Sequence, residues 1–157
     1  MQQKVRKGRH RMKKRTGWAW IFSLYCLLML WLLFHRPGFD PAAPYREQLK
    51  YNLMPFQTIR LFLGLLNSAS GGLRRHAVIN LAGNVVMFVP LGICIPRVWP
   101  GLRKFGKFLL TVVLVIAAVE LAQLLTLVGS CDTDDLILNV LGASLGYWLF
   151  RQRAEKI

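Results

Sequence analysis

The stretch FGKFLLTVVLVIAAVELAQLLTLV, Phe105 to Val128, decides what kind of molecule this is. It is the most apolar block of the chain and holds a single acid, Glu120. A run of this length matches the hydrocarbon core of a bilayer, not one face of a soluble helix. The composition agrees once it is read along the chain. Of 157 residues 54% are hydrophobic and the mean hydropathy is +0.38, yet the formal net charge is +14. A soluble domain rarely combines these values, so charge and apolar surface must be separated. Eight of the 21 Lys and Arg residues (Lys4, Arg6, Lys7, Arg9, Arg11, Lys13, Lys14, Arg15) precede residue 16. The apolar residues lie beyond them in long blocks. This pattern excludes a disordered chain, a disulfide-rich secreted module and an ordinary soluble enzyme. It fits a small all-α polytopic membrane protein.

Three more blocks accompany the first. Gly17 to Phe34 is Trp-rich and uncharged, about 27 Å long at helical rise. It is too long for a signal-peptide core and ends in Phe34-His35-Arg36-Pro37 without a small-residue cleavage site, so it reads as a retained span. Ala77 to Ile95 contains Pro90, which should kink or break it locally. Asp135 to Phe150 is short and Gly-rich. Four spans are therefore expected, framed by a basic arm (1–16) and a tail (151–157), with the membrane domain at 17–150. Cys26, Cys94 and Cys131 are too scattered for a disulfide framework or a metal cluster.

Basic residues set the orientation. With the N-terminus inside, segments 1–16, 97–107 and 151–157 carry eight, four and three Lys or Arg, against six in 35–76 and none in 129–134. Both termini are expected in the cytoplasm, in a multi-pass protein of the cell membrane. The basic arm is then a topogenic and anionic-lipid anchor, with no nucleic-acid-binding module to support another role. In the outer connection, Gln57, Arg60, Gly64 and Asn67 recur at helical spacing opposite Ile59, Phe62, Leu63 and Leu66. About a dozen residues cannot span a bilayer, so this segment is a short interfacial or re-entrant helix on the outer side.

The polar residues inside the spans carry the functional information. His76, Asn80 and Asn84 share one face of the second span. Glu120 and Gln123 share a face of the third, and Asp135 and Asn139 of the fourth. Under this topology all seven lie in the outer half of the membrane and form the candidate ligand-binding set. Glu120 and Asp135 are also the candidate catalytic acids. Ionisable groups at such depth are functional candidates by default. The plainer alternative has Glu120 accepting hydrogen bonds from Asn80, Asn84 or Asn139 and merely fastening the bundle, with Asp135 capping its helix. Asp132 and Asp134 read as loop-solvating residues. Gly142 and Gly146 form a GxxxG that admits close helix approach and suggests a homo-oligomer contact. Asn80-Leu-Ala-Gly83 and Asn139-Val-Leu-Gly142 are alike and hint at a parallel repeat.

In order and spacing, Asn52-Leu-Met-Pro-Phe-Gln-Thr-Ile59, Asn80-Leu-Ala-Gly-Asn-Val-Val-Met-Phe-Val-Pro-Leu-Gly92, Glu120-Leu-Ala-Gln123 and Asp134-Asp-Leu-Ile-Leu-Asn-Val-Leu-Gly142 resemble the VanZ-like family. The resemblance covers roughly residues 20 to 150. Many members carry an Arg shortly before the paired acids, where this chain has Gly129-Ser130-Cys131-Asp132. The resemblance implies an integral membrane protein of the bacterial cell envelope, in a family whose namesake is associated with teicoplanin resistance. It implies no reaction.

Three functions compete. The first is an envelope protein whose outward polar cleft binds a lipid-linked precursor or a lipoglycopeptide. Membrane lipids are its other partners, and Arg60, Arg74 and Arg75 are placed to grip phosphate. The second is an intramembrane hydrolase or transferase on a lipid-linked substrate, with Glu120 as general base and Asp135 and His76 as partners. The third is a transporter or scaffold, which four spans without a broken helix pair do not favour. No metal signature is present and no cofactor is expected.

Overall fold

The computed structural model describes residues 2–35, 50–127 and 130–154, with side chains described in 16–35, 51–127 and 131–152. The chain is mostly helical. Helix α1 covers Gln2–Phe34, α2 Gln57–Leu65, α3 Gly71–Val98, α4 Phe105–Leu125 and α5 Thr133–Ala154, with a 3₁₀ turn at Pro100–Leu102. Three helical segments are long and apolar enough to cross a membrane: Thr16–Phe34, Gly71–Val98 and Phe105–Leu125. With the family assignment given below, they make this a membrane protein. The basic segment before residue 16 continues into the first apolar block as one helix.

The expectation of a purely α-helical fold is corrected at one place. Lys50–Asn52 (β1) and Ser130–Asp132 (β2) pair in parallel, with Asn52 opposite Asp132. Strands of three residues are too short to show a period-two pattern, so nothing in the sequence announced them. They tie the two loops at one end of the bundle together.

Pro90 does not break α3, and neither does Pro96. Each proline removes one backbone donor, and the turn before each gains a side-chain donor. The Tyr25 hydroxyl donates to the Met87 carbonyl at 2.9 Å, and Arg97 Nη1 donates to the Ile93 carbonyl at 2.6 Å. Each accepting carbonyl lies three residues before a proline. Membrane helices tolerate proline when neighbours satisfy the loosened turn in this way.

Contacts fix the helix directions. Trp18 meets Arg97 and Tyr25 meets Met87, so α1 runs against α3. Phe105 and Phe108 stack with Tyr147, and Glu120 reaches Asp132, so α4 runs against α5. Glycines set how α3 and α5 meet. A Cβ on Gly142 would fall on the Val85 carbonyl, one on Gly146 on the Val89 carbonyl, and one on Gly92 on the Ala143 carbonyl. The two backbones therefore lie in direct contact and run the same way, as the paired Asn-x-x-Gly segments had suggested. The close approach expected of the GxxxG between two copies is instead made inside the chain, because α3 occupies that face. Phe88, Leu91, Ile95, Phe108, Val112, Ile116, Ala143 and Tyr147 fill the core beside it.

Candidate ligand-binding site

The acids at the strand-pair end hold the site together. Asp134 is fully buried and Asp132 nearly so. The Asp134 carboxylate accepts the backbone N–H of Phe56 at 2.5 Å and of Ile59 at 2.9 Å. It thus caps α2 from 75 residues away, since α2 has no side-chain cap of its own. A carboxylate at a helix N-terminus satisfies orphan donors and suits the dipole. Phe56 sits there with φ 66°, in the left-handed region. Asp132 accepts from the Thr58 hydroxyl at 2.7 Å, from the Asp134 N–H at 2.8 Å and from Asn52 Nδ2 at 3.4 Å. Both acids were expected only to solvate a loop. They are structural pins, and the strand pairing that buries them is what the sequence concealed.

The seven candidate residues divide under this geometry. Asn84 Nδ2 donates to Asp135 Oδ1 at 2.5 Å, joining α3 to α5. Glu120 is buried and accepts the Asp132 N–H at 3.5 Å, a long contact that binds its oxygen weakly. Gln123 turns away to donate to the Leu33 carbonyl at 2.9 Å, so it secures α1. The Oδ1 atoms of Asn80 and Asn139 are buried without a hydrogen-bond partner among the described residues. His76 is exposed, with its ring 5.4 Å from that of Phe62 on α2. The alternative in which Glu120 takes its hydrogen bonds from the asparagines is not what forms. Asn84 serves Asp135, and Asn80 and Asn139 leave acceptors open.

Burial, aided by the charges of Glu120 and Asp132, pushes the Cys131 thiol above its ordinary value. A thiol held protonated is a weak nucleophile, so the one cysteine beside the acids is not an activated one. Among the described residues no three His, Cys, Asp or Glu side chains converge as a metal site.

The order of these motifs can now be set beside known proteins. The family model described as VanZ/LLP1 matches residues 22–154. The chain belongs to the VanZ/LLP1 family. Its similarity to Protein VanZ of Enterococcus faecium is 24% identity over 131 residues, covering 83% of this chain and 71% of that protein. No solved structure matches. The family span takes in every residue of the site. It also includes Asn52, Thr58, Asp132 and Asp134, which residue-by-residue reading had left outside the candidate set. A usable signal existed in Asn52 and Thr58, polar residues near the start of an amphipathic segment that also needed an N-terminal partner.

Proposed function

We propose that the chain crosses the cell membrane four times with both termini in the cytoplasm, and that its outward polar cleft binds a lipid-linked envelope precursor or a lipoglycopeptide. Its contribution would be to resistance of the teicoplanin type, which the family resemblance implies. For the fourth crossing, α5 is 22 residues long, runs beside α3 and returns antiparallel to α4. For the orientation, Trp18, Arg97, Arg103 and Tyr147 gather at one end, in the segments that carry most of the cations. At the opposite end α2 exposes Gln57, Arg60 and Gly64 together with Leu61 and Leu63, a mixed surface suited to the outer interface.

The observation that carries the binding reading is the surplus of acceptors. Glu120 and the amide oxygens of Asn80 and Asn139 are buried at one end of three helices with few donors to meet them. Buried polar groups are normally hydrogen-bonded, so a donor-rich ligand such as a sugar or peptide is the complementary partner. Binding of labelled teicoplanin and of a lipid-linked precursor to the full chain in nanodiscs tests this. Glu120→Gln should weaken one of them by about tenfold, the effect of a hydrogen bond to a charged group. Unchanged binding of both overturns the role of Glu120.

A further inference from the structure

A cavity of about 270 Å³ opens at the first turns of α3, lined by Gly72, Arg75, His76, Ile79 and Asn80. Asn80 lies one helical turn from Asn84, whose side chain is already committed to Asp135. The cavity is therefore a neighbour of the Glu120 cleft with a distinct lining.

Its two sides ask for opposite things. Arg75 offers a planar guanidinium whose paired donors match a phosphate. His76 adds an imidazole N–H, with its ring packed 5.4 Å from the buried ring of Phe62. Asn80 Oδ1, by contrast, is a buried acceptor with no donor among the described residues. An anion alone answers Arg75 and His76 but brings nothing for Asn80. A choline headgroup has the same defect, since its quaternary nitrogen carries no N–H. A phosphate ester with neighbouring hydroxyl groups satisfies both sides at once. The volume sits just below the range of roughly 300–1,000 Å³ typical of small-molecule sites, which suits a headgroup more than a whole antibiotic.

We propose that this cavity binds a phosphate ester bearing adjacent hydroxyls, the chemistry of a phosphoglycerol or sugar-phosphate headgroup. Arg75 and His76 hold the phosphate, and Asn80 accepts from a hydroxyl. This rests on the reading above for its setting at the outer leaflet, and it does not depend on Glu120.

The test uses the full chain in phosphatidylcholine nanodiscs, with bound lipid counted by native mass spectrometry. Phosphatidylglycerol and phosphatidylethanol carry the same single charge, and only the first has free hydroxyls. The wild type should retain phosphatidylglycerol about fivefold better. Asn80→Leu should abolish that preference while still retaining both lipids. Arg75→Gln with His76→Gln should reduce retention of both by about tenfold or more. Both residues are exposed, and Arg75→Gln alone serves should the double variant misfold. Equal retention of the two lipids by the wild type overturns the proposal, as does undiminished retention by the Arg75 variants. Displacement of bound lipid by free glycerol 3-phosphate identifies a soluble ester as sufficient, and lack of displacement identifies the bilayer lipid as the source. Glu120→Gln should leave the lipid preference intact while weakening precursor or glycopeptide binding. The two readings therefore fail separately.

Discussion

The two ends of the bundle handle charge by different means. At the end where α3 leads into α4, Arg97 lies over the rings of Trp18 and Phe150 at 4.4 and 4.8 Å, and Arg103 donates to the Pro96 carbonyl at 3.1 Å. Aromatic faces and backbone carbonyls receive these cations, so each side chain is one of several supports. At the other end, four of the chain's seven acids, Glu120, Asp132, Asp134 and Asp135, are drawn in with β1, β2 and α2. There a single carboxylate serves two or three donors, and other acceptors stay open. The cationic end is redundant and the acidic end is specific.

That contrast breaks most easily at Asp134. Asp134→Ala leaves the Phe56 and Ile59 amides without their partner and should cost about 3 kcal/mol or more. Hydrogen exchange should show protection lost first across 56–60; protection equal to wild type would remove the capping role. Next comes the α3–α5 contact. Gly146→Ala forces a Cβ onto the Val89 carbonyl and should cost about 1–3 kcal/mol by thermal unfolding. Gly64→Ala on α2 meets open space and should be neutral or stabilising by up to about 1 kcal/mol. Similar losses at both glycines would mean that the helix contact is not the cause. The smallest effect belongs to the cationic end. Arg97→Ala should cost about 1 kcal/mol, and Trp18 fluorescence should report the loss of its partner. A loss at Arg97 larger than at Asp134 would reverse the comparison.

The spans were legible because an apolar block of bilayer length has few other readings. The faces of His76, Asn80 and Asn84, of Glu120 and Gln123, and of Asp135 and Asn139 were legible because helical spacing is local. Partners were not. Gln123 and Glu120 share a face, yet one reaches α1 and the other β2. Asp132 and Asp134 looked like loop acids because their partners, Thr58 and Ile59, lie more than seventy residues earlier. The glycines were read correctly as a site of close approach. Which helix approaches is a property of packing, and it proved to be α3.

By itself the sequence determined the membrane class, the apolar helices and the face on which each polar residue stands. These follow from hydrophobicity and from the 3.6-residue period, which act within one segment. The tertiary structure alone decided which acids are buried, which amides are satisfied and which are left open. Those outcomes depend on a three-residue strand pairing and a glycine-lined helix contact, and both join residues far apart in the chain.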